Sequence, residues 1–96
     1  MPEGYPEQNP RAAWRVYEGE AVIVSPEDSM LHTLNPVGSF IWEAADGHTA
    51  MDAIITRVCE TFAIDHATAA RDAAVFVDSL CQRGLLTILK EPRPAA

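Results

Sequence analysis

Basic side chains are scarce in this chain of 96 residues: 7 Lys and Arg stand against 14 Asp and Glu, a formal charge of −7. Tight nucleic-acid binding needs Lys and Arg on phosphates, so that class of function is disfavoured. An anionic membrane surface is disfavoured for the same reason. A basic or apolar partner is not. Long apolar runs are missing too, and none reaches the ~20 residues that a bilayer-spanning helix requires. The segment Met1 to Pro10 has no apolar stretch of the kind a signal peptide carries, which predicts a cytoplasmic protein. Cysteine is limited to Cys59 and Cys81, which fit that compartment as buried free thiols.

Chemical motifs are equally sparse. His32, His48 and His66 are isolated, no CxxC or HxxxH occurs, and the Cys59–Cys81 spacing matches no common zinc site. There is no GxSxG, no P-loop and no GxGxxG. Cys81 is a nucleophile candidate by residue type, but a place on the apolar flank of a helix favours an inert thiol. Glu43, Asp46 and Asp52 are explained as acids at helix ends. No catalytic constellation emerges, and no metal or cofactor is implied. A domain with a core and no chemistry is expected to work by binding.

The core itself is well provided for. Apolar residues make up 48% of the chain, enough for one domain with a modest interior. Residues 1–10, with Pro2, Pro6 and Pro10, read as a flexible N-terminal arm. Residues 11–90 read as a single domain and residues 91–96 as a tail. Within the domain, Trp14 to Tyr17 alternates and is rich in strand formers. Glu18-Gly19-Glu20 is a tight connection to a second strand over Ala21 to Val24. Ser25-Pro26-Glu27-Asp28 is a turn, and Met30 to Leu34 reads as a third strand, antiparallel to the second.

Helices follow. Asn35 is a good N-cap with Pro36 in the first helical position. Val37, Phe40, Ile41 and Ala44 share one face, and Asp46-Gly47 ends the helix. Thr49 is the next expected cap, for a helix that aligns Met51, Ile54, Ile55, Val58 and Phe62. Asp65 caps a last helix that runs to about Arg83 and is closed by Gly84. Leu85 to Leu89 suits a short final strand. The order describes an α+β domain, a three-stranded antiparallel sheet followed by three helices.

On the last helix, Ala69, Ala73, Phe76, Val77 and Leu80 form a core stripe. Ala67, Ala70, Ala74 and Cys81 lie beside it and widen the apolar arc to about half the circumference, more than the ~100° usual for a surface helix. Small side chains permit close backbone approach, so this flank suits the floor of a groove. Equally, it suits packing against another part of the same domain, such as the first strand or the tail, since alanine is simply a good helix former.

Three blocks in this order carry a family resemblance. Leu34, Asn35, Gly38, Ile41 and Trp42 give "LN-x-x-G-x-x-I-W". Asp46 and Gly47 follow, and then Phe76, Val77, Leu80, Gly84, Leu85 and Leu86. The pattern covers roughly residues 14–89 and resembles the PqqD-like family of RiPP precursor peptide recognition elements. That resemblance implies a winged helix-turn-helix-like fold and a non-catalytic peptide chaperone. Such a chaperone holds the leader of a ribosomally made precursor peptide and presents it to a modifying enzyme. In pyrroloquinoline quinone biosynthesis that enzyme is a radical SAM enzyme. It further implies that the leader adds as a strand beside Met30, Leu31, His32 and Thr33, against a last-helix wall of Ala67, Ala70, Ala74 and Cys81. An exposed edge strand also permits pairing with a second copy, as a homodimer. The competing reading on the same fold is a DNA-binding winged helix regulator. Its recognition helix would carry Arg, Lys, Asn or Gln, whereas residues 65–83 hold Asp65, Asp72 and Asp78 against Arg71 and Arg83.

Overall fold

The computed structural model describes residues 3–94. In chain order the elements are β1 (Tyr5–Gln8), β2 (Ala13–Tyr17), β3 (Glu20–Val24), β4 (Leu31–Thr33), α1 (Pro36–Ala44), α2 (Met51–Phe62), α3 (His66–Gln82) and β5 (Leu86–Leu89). Strands β2, β3 and β4 form an antiparallel sheet in that order, and β1 pairs with β5 in a second, two-stranded sheet. The α+β architecture predicted from the sequence is the one observed.

Local chemistry explains the meander. Tyr17 faces Glu20 across the β2–β3 hairpin, so the turn has two central residues. Both sit at positive φ, Glu18 at 52° and Gly19 at 81°, the turn geometry whose twist matches that of paired strands. Ala21 and Ile23 point into the interior and are fully buried. At the next turn the Asp28 carboxylate accepts the Met30 N–H at 3.0 Å, and the chain returns as β4.

A buried hydroxyl locks α1 onto this sheet. Ser39 Oγ accepts the Ala21 N–H at 2.6 Å and donates to the Leu34 carbonyl at 3.2 Å, so neither backbone group is left unpaired inside. The Asn35 side chain accepts the Gly38 N–H at 2.7 Å, as its N-cap role requires. Gly38 is needed for space: a Cβ there would stand 2.8 Å from the Phe76 ring of α3. Trp42 is fully buried and meets Trp14 of β2 edge-to-face with ring centroids 6.0 Å apart. Its indole N–H has no hydrogen-bond partner among the described residues.

After α1 the Asp46 carboxylate accepts the N–H groups of His48 and Thr49 and the Thr49 hydroxyl. Burial raises the Asp46 pKa, but those bonds outweigh it and hold the group below its ordinary value. Thr49 is thus engaged by Asp46 and does not cap α2 as its position suggested. The N-cap is Ala50, which supplies no side-chain bond. The first N–H of the helix, that of Met51, instead donates to the Gly4 carbonyl at 2.9 Å. Asp65 caps α3 as predicted, accepting from the N–H and hydroxyl of Thr68.

That Gly4 contact belongs to the main correction to the sequence reading. The N-terminal segment is no flexible arm where it is described. Tyr5 to Gln8 pair with Leu89 to Leu86, and Pro6 is among the most buried side chains. Proline fits because β1 is an edge strand, where one missing N–H is tolerated; its carbonyl accepts the Gly47 N–H. Gln8 reaches the Trp42 carbonyl and Asn9 that of Gly84. The tail is held as well: the Arg93 guanidinium grips both carboxylate oxygens of Glu7, and the Arg93 backbone N–H donates to the Gly47 carbonyl at 2.9 Å. The ordered domain therefore extends beyond residues 11–90 at both ends.

Candidate functional site

β4 is an edge strand of its sheet, and its register shows which backbone groups are free. Val22 faces Thr33, Ile23 faces His32 and Val24 faces Leu31. The flanking bonds run from the Leu34 N–H to the Ala21 carbonyl and from the Ser25 N–H to the Met30 carbonyl. In an antiparallel ladder bonded and non-bonded pairs alternate. Residues 30, 32 and 34 therefore turn toward β3, and Leu31 and Thr33 turn their N–H and C=O outward. None of those outward groups has a backbone partner among the described residues. Tyr5 to Gln8 pair with β5 and so do not cover this edge.

The open edge looks across a groove onto α3. Its volume is about 350 Å³, with Leu31, His32, Thr33 and Leu34 on one wall and Phe76, Ser79, Leu80 and Arg83 on the other. His32 shares a face with the buried Ile23 and so points toward the helix. Its Nδ1 lies 2.9 Å from an Arg83 guanidinium nitrogen; a guanidinium only donates, so Nδ1 accepts. Leu31 and Thr33 lie on the opposite, outer face. Leu31 is 66% exposed and Met30 57%, large apolar side chains with nothing covering them. Phe76 and Ser79 also line a larger, mostly apolar hollow of about 560 Å³ with Val37, Ile64 and Val75, so the groove continues past the start of α1.

The four residues singled out from the sequence, Met30 just before β4 and Leu31, His32 and Thr33 within it, thus stand together on this edge. The four proposed for the helical wall do not join them. Ala74 and Cys81 line a different hollow with Glu3, Met51 and Ile88, on the flank of α3 that meets β5 and α2. Ala70 is buried, 8% exposed, and Ala67 is exposed on the first turn of the helix. Of these four only Ala70 is packed inside the domain; Ala74 and Cys81 are half-buried beside that hollow, and none of the four lines the groove next to β4. Burial pushes the Cys81 thiol up from its ordinary pKa and Asp78 adds to the shift, so it is a poor nucleophile.

Phe76, Ser79, Leu80 and Arg83 are what sequence reasoning missed as groove residues. Phe76 and Leu80 had been absorbed into the core stripe, and Ser79 and Arg83 had no apparent role. A signal was present: the four follow helical spacing, and the stripe turns polar at Ser79 and Arg83 while still carrying an aromatic ring.

The sequence model of the family described as coenzyme PQQ synthesis protein D (PqqD) matches residues 20–86. No curated protein matches the chain. Among solved structures, one of TbiB1 in complex with the TbiA(beta) leader peptide is similar, with a TM-score of 0.76 at 22% identity over 83% of this chain and 93% of that one. A lasso peptide synthetase B1 complexed with the leader peptide gives a TM-score of 0.73 at 19% identity, over 86% of this chain and 98% of that one. At these identities the likeness is one of fold.

Proposed function

The chain belongs to the PqqD family, and on that premise we propose that it is a non-catalytic module that holds the leader of a ribosomally made precursor peptide. The leader adds as a strand to β4 and packs against α3. One observation carries the reading: the outward N–H and C=O groups of Leu31 and Thr33, on an edge with which no other described segment pairs, border a groove whose far wall is α3. Backbone bonds of this kind give affinity, and the alternate side-chain positions give selection. The two similar folds that hold leader peptides support the same use.

The held peptide is then presented to a modifying enzyme. The family description, synthesis of coenzyme PQQ, supports a biosynthetic enzyme as that partner, and a radical SAM enzyme is our choice.

NMR titration of the labelled protein with the cognate leader tests the docking. Shifts are expected at Leu31, Thr33, Phe76, Ser79 and Arg83. Leu31→Pro removes one outward N–H that the sheet does not use, so it should weaken binding while the fold persists. Shifts confined to α2 or to the β1–β5 sheet would overturn the reading.

A further inference from the structure

We propose that the groove selects a peptide carrying a carboxylate side chain, Asp or Glu, at the position that pairs with His32, where Arg83 receives it. The inference rests on the docking mode proposed above and adds the chemistry of the guest.

Charge supports it first. The protein has 14 acidic side chains, yet among the described residues none lines the groove where it runs beside His32, and Arg83 is the formally charged residue there; Arg71 and Asp72 stand farther along, in the hollow past Phe76. Arg83 is also not spent on an internal ion pair. Among the described residues the salt bridges are Arg71–Asp72 and Arg93–Glu7. The side-chain bond of Arg83 goes to a neutral acceptor, His32 Nδ1. A guanidinium offers five N–H donors and pairs best with a carboxylate, so most of its donor capacity is not spent on other side chains among the described residues.

Register then gives the position. A strand added to β4 bonds to Leu31 and Thr33, which makes the guest residue opposite His32 a non-hydrogen-bonded partner. Side chains of such pairs lie closest and share a face. His32 faces α3, so the guest side chain does too, and it ends beside Arg83. Two residues along, the guest side chain opposite Leu34 faces the helix again and meets Phe76. The favoured guest therefore has an acid and an apolar residue separated by one position.

The test is a selection of randomised short peptides, displayed on their own messenger RNA, against the immobilised full chain. Wild-type binders should converge on Asp or Glu at one position with an apolar residue two places away. Arg83→Glu should replace that acid with Lys or Arg. Arg83→Gln should weaken the best acidic binder about tenfold, the scale of a lost charge-assisted hydrogen bond, and raised salt should weaken the wild-type complex in the same sense. Ser79→Arg fills the groove and separates the two readings. Binders without an acid preference that are lost on Ser79→Arg overturn this inference and leave the docking mode standing. Binders unaffected by Ser79→Arg, or no binders at all, overturn both.

Discussion

α3 lies between two strand edges that are treated in opposite ways. On one flank the edge of β5 is closed by β1, four residues on four, and is clasped by Arg93 on Glu7. On the other, the outer backbone groups of β4 have no partner among the described residues, and its Leu31 side chain is exposed. An open edge invites association and proteins generally cover or blunt it. Here the same helix offers small residues, Ala74 and Cys81, to the closed side and a ring, a hydroxyl and a guanidinium to the open side. Small side chains leave a hollow of about 400 Å³ on the closed side. The larger, mixed side chains keep the open side apart from β4 and give a guest something to read.

The strongest blow falls on what supports both edges. Trp42→Ala should destabilise the protein by about 3–5 kcal/mol, the cost of emptying a fully buried aromatic site, measured by urea denaturation. An unchanged midpoint would contradict the architecture described for α1 and β2.

Beginning the chain at Pro10 removes β1 and turns the closed edge of β5 into an open one. We expect a loss of about 2–4 kcal/mol from the buried Pro6 and the missing ladder. Self-association through β5 should appear in sedimentation. A monomer of full stability would mean that β1 adds little beyond decoration.

A matched pair of substitutions sharpens the contrast between the flanks of α3. Ala74→Arg forces a long side chain between Met51 and Ile88 and should cost about 1–3 kcal/mol, with leader binding little changed in whatever fraction stays folded. Ser79→Arg should leave stability within about 0.5 kcal/mol and abolish leader binding. Calorimetric titration with the leader and thermal melts on both variants would show it; the reverse pattern would exchange the roles of the two flanks.

The smallest effect is one of pH. The hydrogen bond from Arg93 holds the Glu7 carboxyl below its ordinary value of 4.5, against a smaller opposing effect of burial. A depressed carboxylate contributes fully above its unfolded pKa and loses that contribution as pH falls through the folded value. The clasp should therefore release only in acid, below about pH 4.5, seen as a shift of the Arg93 Nε–H resonance and faster amide exchange at Arg93. Glu7→Gln should remove the step. Global stability should barely move, since the ion pair is exposed.

Much of this molecule is legible without its structure because the deciding interactions are local. The Glu18-Gly19 turn, the Asn35 and Asp65 caps, the Gly84 stop and the apolar period of α2 each depend on residues within a few positions of one another. The core followed too: Trp42, Ile54, Ile55, Val58 and Leu80 are all buried. Thr49 failed as a cap because Asp46, only three residues away, competes for it. Local reading weighs one use of a side chain at a time. The strand character of Met30 to Thr33, and hence half of the candidate site, was readable in the same way.

What needed the tertiary structure was every question of which surface meets which. Tyr5-Pro6-Glu7-Gln8 has no alternation and a proline at its second position, so nothing in it announces a strand. Its pairing with Leu86 to Leu89 becomes favourable only once α1, α2 and α3 have brought β5 to that place. The apolar arc of α3 is likewise fixed by periodicity, whereas its orientation about the helix axis depends on packing. With Gly38 admitting the Phe76 ring and Ala74 turned to the hollow that it shares with Met51 and Ile88, the rotation of α3 is settled. It turns Ser79 and Arg83 toward β4 and the alanines away. A helical wheel states which side chains are neighbours on one helix; the contacts that fill the space around the helix choose what each of them faces.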